Sequence, residues 1–258
     1  GVLAIAALYR LGTELFTARI GFYAASILAL SAFFVDYLHE ARAYTLLAFL
    51  TIVAVYCYQR IMHRNEAHFV WYVGLSLSLA ALAYTHYVAL AMGLVLGIYH
   101  LINFRNSRRW WLVVASMAIG GAIFLPWLSV TLEVIQRGTE DTGRQSDSMT
   151  TPAILKNLLH TVSNANLALL ALLAIYSLRD ASRKTALVWI WILASLLLVM
   201  IVNAFIPFMV HLRYLIFVFP AFALLMALGI HNLKNLGLAV LLVCLGAGLY
   251  QSLNSDFI

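Results

Sequence analysis

Apolar runs alternate with short polar connections along almost the whole chain of 258 residues. The runs fall at about 1–9, 18–35, 43–59, 68–84, 87–104, 110–128, 165–178, 185–206, 214–230 and 235–250. Most have a length of about 16–20 residues, which suits helices crossing a hydrocarbon core of ~30 Å. A helix satisfies its own backbone polar groups there, where water cannot. The pattern predicts an all-α fold, a polytopic transmembrane helical bundle of about nine full spans plus a partial first one. Residues 1–9 are too few to span. Only one connection is long, 129–164, and it is expected on the outer side. Its middle, "RGTEDTGRQSDSMTTP", is polar and rich in Gly, Ser and Thr, which predicts a loop. The stretch after Pro152, "AILKNLLHTV", carries Ile154, Leu158, Leu159 and Val162 at helical spacing and predicts a short interfacial helix. Such a connection reads either as a lid over an outer site or as a solvated tether.

Composition agrees with the pattern. The chain is 64% hydrophobic and 10% charged, whereas a soluble domain is nearer half apolar and about a quarter charged. The net charge of +6 therefore points to membrane topology rather than to nucleic acid. Alternating the connections puts Arg10, Arg19, Arg60, Arg64, Arg105, Arg108, Arg109, Arg179, Arg183, Lys184 and Lys234 on one side, with Glu14, Glu66 and Asp180. The opposite side holds Arg42, Arg137, Arg144, Lys156 and Arg213, with the remaining acids. The first side is then the inner one. Cys57 and Cys244 sit inside apolar runs at no ligand spacing, which reads as core packing. No charged n-region precedes the first apolar run, and the chain reads as lacking its true N-terminus. The transmembrane domain is expected over 1–250, with a C-terminal tail at 251–258.

Candidate chemistry collects at the outer helix ends. "VDYLHEARAY", residues 35–44, packs Asp36, His39, Glu40 and Arg42 into one joint between two apolar runs. Asp36, Glu40 and Tyr44 are spaced by four, so a continuous helix would put them on one face. Arg42 opposes the dipole of the helix it precedes and lies on the side poor in basic residues. One reading is a local ion pair with Asp36 or Glu40. The other is a site, with carboxylates for acid–base work or a metal and a cation for an anionic leaving group. "AYTHYVAL" places His86 between two apolar helices, flanked by Tyr84 and Tyr87. "FMVHLRYLIFVFPAF" places His211, Arg213 and Tyr214 at the start of a helix containing Pro220. Arg213 repeats the anomaly of Arg42. Two such cations suit one phosphate, to which a guanidinium offers a planar fork. The histidines read either as interfacial hydrogen-bonding residues or as site residues.

At these positions the chain resembles a family. "VDYLHEARAYTLLAFL" is similar to a segment of polytopic GT-C glycosyltransferases, the superfamily of dolichyl-phosphate-mannose mannosyltransferases and lipid A aminoarabinose transferases. Within it the nearest likeness is to the bacterial core-sugar branch. There a "(S/H)xEARxY" stretch opens a transmembrane helix after an outer connection. "ALYRLGTELFTARIGFYAASILALSAFF" resembles the two helices before it, and "YTHYVAL", "FLPWL" and "RYLIFVFPAFALLMALGI" resemble later signposts in the same order. The resemblance covers roughly residues 1–232. It implies sugar transfer from a polyprenyl-phosphate carrier to an acceptor hydroxyl of a glycan, lipid or protein, at the periplasmic face of a bacterial inner membrane. A carboxylate would deprotonate the acceptor, with inversion at the anomeric carbon, and cations or a divalent metal ion would steady the departing phosphate. The carry-over places Glu40 as the acidic site residue, with Asp36 beside it. Arg42, Tyr44, His86, His211, Arg213 and Tyr214 would bind substrate. The family's Asp-Glu motif lies in the first outer loop, ahead of the segment this chain resembles.

Other classes remain open at this stage. A transporter or channel for an anionic or lipid-linked substrate would also use Arg42, His86 and Arg213. Internal repeats and mid-helix breaks, common in transporters, are not evident, and the ionisable residues sit at helix ends. A non-catalytic membrane relative is the third reading. No phosphate-binding Gly loop, zinc-helix motif or nucleophile elbow occurs in the sequence.

Overall fold

The computed structural model describes residues 1–39, 43–63, 68–140, 149–164, 166–206, 209 and 211–254. Twelve α-helices and no strand occur among them. In chain order they are α1 (Val2–Leu15), α2 (Ala18–Ala29), α3 (Ala32–His39), α4 (Tyr44–His63), α5 (Phe69–Thr85), α6 (Leu90–Ile102) and α7 (Arg108–Glu140). There follow α8 (Thr151–Val162), α9 (Leu167–Ser177), α10 (Arg183–Phe205), α11 (Phe219–Asn232) and α12 (Gly237–Asn254). Short 3-10 helices precede α6 (Tyr87–Ala89), α11 (Leu212–Val218) and α12 (Lys234–Leu236).

The starts of several helices follow from local chemistry. Thr17 Oγ1 accepts from the Ile20 N–H, Asn166 Oδ1 from the Leu169 N–H and Ser182 Oγ from the Thr185 N–H. Each satisfies one of the donors that a helix N-terminus leaves open. Pro220 falls in the first turn of α11, where its missing N–H costs nothing.

The core is built around α11, in which every residue from Phe219 to Ile230 is buried. Helices α2, α9 and α10 pack around it, α1 lies on α2 and α4, and α5 joins α4 to α7. Helices α7 and α12 leave large apolar side chains exposed, as lipid-facing helices do: Leu125, Trp127 and Leu132 on one, Leu238, Leu242 and Leu249 on the other. Among the described residues, five helical segments are long and apolar enough to cross a membrane: Tyr44–His63, Arg108–Val134, Arg183–Phe205, Leu212–Asn232 and Lys234–Asn254. The pair α8 and α9, bent by 84°, makes up to six. The chain is a multi-pass helical membrane protein.

Several expected boundaries shift. The run 18–35 divides into α2 and α3 at Leu30–Ser31. Helix α1 continues past residue 9 to Leu15, because its polar residues find partners: Thr13 Oγ1 donates to the Tyr9 carbonyl and Glu14 pairs with Arg60 at 3.4 Å. The connection expected over 129–164 contains the last turns of α7 and all of α8. Ile154, Leu158 and Val162 of α8 are buried against the protein. Helix α12 carries on to Asn254, through four residues assigned to the tail.

Candidate functional site

Four separate segments bring aromatic and basic side chains together at one end of the bundle. Helix α4 begins with Tyr44, which is buried. The 3-10 stretch Leu212–Val218 brings Arg213 to it, with the guanidinium carbon 5.6 Å from the centre of the Tyr44 ring. A cation over an aromatic face is held by the ring quadrupole, typically by about 0.5–2 kcal/mol. Seven residues is long for a 3-10 helix, since its hydrogen bonds are poorer than those of an α-helix. Its three-residue turn aligns His211 with Tyr214, whose rings lie 6.1 Å apart.

His86 enters from the joint of α5 and α6. Its backbone is extended, with φ of −163°, closing α5 and opening the next 3-10 turn. Its Nδ1 lies 3.2 Å from the Val88 nitrogen. A backbone N–H can only donate, so Nδ1 accepts and the neutral ring carries its proton on Nε2. Burial pushes the His86 pKa down to about 4. The His86 ring stands 4.6 Å from Tyr87, 5.1 Å from Tyr214 and 6.5 Å from Tyr44.

Helix α3 supplies the remaining wall. Tyr37 meets Tyr44 edge-on at 5.5 Å and Phe33 at 4.7 Å, and Phe33 stacks on Phe219 at 4.3 Å. A line of rings thus runs from α11 across α3 and α4 to the α5–α6 joint and back to the start of the 3-10 stretch. Asp36 precedes Tyr37, and its Oδ2 is shielded from solvent.

The sequence-derived residues therefore divide. Tyr44, His86, His211, Arg213 and Tyr214 come together, and Asp36 sits on the helix that carries Tyr37. Glu40 and Arg42 lie outside the described residues. No continuous helix joins Asp36 to Tyr44, because Ala43, just before α4, is a turn residue. It is the Tyr37 ring that reaches Tyr44. Tyr37 had no assigned role in the sequence reading. Its signal was present in the aromatic residue next to Asp36. Among the described residues, no group of three or more His, Cys, Asp or Glu comes together to hold a metal. The described groups suit an anion beside Arg213 and a flat or apolar surface against the tyrosines.

Known proteins share this architecture. The sequence profile of the dolichyl-phosphate-mannose-protein mannosyltransferase family matches residues 1–131, half of the chain. The crystal structure of ArnT from Cupriavidus metallidurans in the apo state superposes with a TM-score of 0.70 at 18% identity, over 94% of this chain and 46% of that one. The same protein bound to undecaprenyl phosphate gives 0.69, with the same identity and coverage. The chain thus spans about half the length of the structures it matches, and the likeness is one of fold. No curated protein sequence matches.

Proposed function

Because the chain belongs to the dolichyl-phosphate-mannose-protein mannosyltransferase family, we propose that it serves a membrane glycosyltransferase that takes a sugar from a polyprenyl-phosphate carrier. The acceptor is a hydroxyl of a glycan, lipid or protein, and the site faces the periplasm of a bacterial inner membrane. The observation that carries this reading is the meeting of Arg213 with Tyr44, His86 and Tyr214 at one end of the bundle. The fold it shares with ArnT, a protein crystallised with undecaprenyl phosphate, adds the class of carrier.

In the proposed step a carboxylate, Glu40 or Asp36, takes the acceptor proton. The acceptor oxygen forms a bond to the anomeric carbon from the face opposite the leaving group. The bond from that carbon to the carrier phosphate oxygen breaks, and the phosphate departs with the electron pair. The configuration inverts. Arg213, with Arg42, neutralises the charge that develops on the phosphate, and such a contact counts most when it strengthens toward the transition state. Tyr44 holds the Arg213 guanidinium in place through its ring. The neutral His86 offers its Nε2–H as a hydrogen-bond donor, and Tyr37, Tyr87 and Tyr214 supply ring surfaces for the sugar or the carrier.

The test is a kinetic one in the full-length protein with a polyprenyl-phosphate-sugar donor. Arg213→Ala and Arg42→Ala should each lower turnover by about 100-fold, with little change in acceptor KM. Because both serve one phosphate, the double variant should lose less than the product of the two single losses. Lysine at either position should rescue only in part, since it lacks the fork. Losses that multiply cleanly, or normal turnover in Arg213→Ala, would overturn the shared phosphate site.

A further inference from the structure

The opposite end of the bundle holds a concavity. A cavity of about 270 Å³ is bounded by Tyr58, Met62 and His63 of α4, Tyr99 of α6, and Asn103, Arg105 and Arg183. It lies a whole helix away from the aromatic cluster. Helix α4 runs for 20 residues, from Tyr44 to His63 here, and a helix rises by about 1.5 Å per residue.

The polar groups around it are unequally committed. The Tyr58 hydroxyl is bonded to His100 Nδ1 at 3.1 Å, and the Tyr99 hydroxyl donates to the Arg183 carbonyl at 2.9 Å. Asn103 Nδ2 donates to the Tyr99 carbonyl at 2.9 Å. Both tyrosines are buried, so the surface offered to a ligand comes from the half-buried Met62 and the exposed His63. The charge comes from elsewhere. Arg105, Arg183 and the neighbouring Lys184 are all near enough to act electrostatically on His63. No described carboxylate lines the cavity. Of the described acids at this end, Glu14 pairs with Arg60 at 3.4 Å, and Asp180 Oδ2 accepts from the hydroxyls of Ser182 and Thr185. A cationic rim thus surrounds an apolar wall.

The residues beside the rim have the character of a bilayer interface. Leu101, Ile102 and Phe104, just before Arg105, are exposed, as is Trp111 in the first turn of α7. Exposed apolar and indole side chains beside basic residues are what a bilayer interface selects. At about 270 Å³ the cavity lies just below the range of roughly 300–1,000 Å³ usual for organic ligands and has room for a phosphodiester with its glycerol.

We propose that this cavity binds the phosphodiester headgroup of an anionic glycerophospholipid, with Arg105 and Arg183 on the phosphate and the glycerol ester against Met62 and His63. The chemistry is that of basic pockets between transmembrane helices, where guanidinium groups contact phosphate oxygens. The site is separate from the glycosyl-transfer reading and stands or falls without it.

Native mass spectrometry of the purified protein, delipidated and then mixed with equal amounts of phosphatidylglycerol and phosphatidylcholine, tests the proposal. The wild type should retain phosphatidylglycerol in preference. Arg105→Ala and Arg183→Ala should each reduce that preference about fivefold, in line with the attraction of one basic residue near a surface. Arg108→Ala removes an exposed cation of the same connection that does not line the cavity, and it should leave the preference unchanged. Free glycerol 3-phosphate should not displace the lipid at equal concentration. Equal retention of the two lipids overturns the proposal, as does wild-type preference in both arginine variants. An Arg108→Ala loss as large as the others would reduce the effect to diffuse surface charge and overturn the pocket. Displacement by glycerol 3-phosphate would make the ligand a soluble phosphate and overturn the lipid. Should Arg183→Ala fail to fold, Arg105→Ala and the charge reversal Arg105→Glu carry the test at an exposed position.

Discussion

His86 combines backbone and side-chain constraints in one residue. It caps two helices with an extended backbone, and its Nδ1 is occupied by the Val88 N–H. Burial holds its pKa at about 4, against the ordinary 6.5. Above pH 6.5 both folded and unfolded chains carry a neutral ring, so this residue adds no pH dependence there. Between about 6.5 and 4 the unfolded chain takes up the proton more readily, so stability falls as the pH falls through that window. His86→Asn keeps an acceptor near the place of Nδ1 and cannot ionise. Thermal unfolding in detergent at a series of pH values should show a shallower acid-side loss for this variant than for the wild type; an unchanged slope would remove His86 as the cause. Tyr44 makes a different prediction. Tyr44→Phe retains the ring beneath Arg213 and should lower turnover less than Glu40→Gln does. Tyr44→Leu removes the ring face, with an expected loss of about 2- to 30-fold, the kinetic equivalent of ~0.5–2 kcal/mol. The reverse order would make the tyrosine, not the carboxylate, the reacting group. His86, Arg213 and their neighbours were legible in the sequence because each sits where an apolar run stops, and Arg213 also runs against the charge bias. Tyr37 was not, because an aromatic residue at a membrane edge is ordinary. Its place comes from contacts with Phe33 and Tyr44 across a break between helices.

Helix α11 was legible as an apolar run, but its burial on every side was not. A uniform apolar run looks the same whether lipid or protein surrounds it. Small residues decide the difference, by letting backbones approach. Gly229 of α11 faces the backbone of Leu173 in α9 so closely that a Cβ would overlap it. Gly93 in α6 has open space at the same atom. The two glycines predict opposite outcomes for one substitution. Gly229→Ala should destabilise by about 1–3 kcal/mol, because two backbones must separate. Gly93→Ala should be neutral or stabilising by up to ~1 kcal/mol from helix propensity. Thermal melts of both variants in one detergent compare them directly; equal shifts would mean that α9 and α11 do not meet at Gly229. Where the sequence misplaced elements, the reason was local. No proline or glycine marks Leu30–Ser31, where α2 gives way to α3. The helical start of the 129–164 connection was hidden for another reason, whereas the helix after Pro152 was legible in its apolar spacing. The polar residues closing α7 support each other along the helix, as Arg137 does with Glu133.

At the scale of the whole molecule, three helices tie the two ends together. Helix α4 runs from Tyr44 to the cavity at His63, α6 follows the joint at His86 and leads to Tyr99 and Asn103, and α10 starts at Arg183 and leads toward His211. Helix α8 belongs to the His211 end. The Met149 N–H just before it donates to the Met209 carbonyl at 2.8 Å, and Asn203 Nδ2 donates to the Met149 carbonyl at 3.0 Å. The aromatic cluster and α8 should therefore share one membrane face, with the Arg105–Arg109 connection on the other. The charge pattern sets which is which, because basic residues favour the cytoplasmic side. Two positions test both statements at once. Ser107 and Lys156 are exposed, and the native Cys57 and Cys244 are buried, which keeps background labelling low. In intact cells a membrane-impermeant maleimide should label Lys156→Cys and should reach Ser107→Cys only after the membrane is opened. Labelling of both in intact cells would mean that the two ends do not lie across a bilayer. Labelling of Ser107→Cys alone would invert the bundle. The proposed glycosyl-transfer site would then face the cytoplasm, and the cavity at Arg105 and Arg183 would meet the outer leaflet instead.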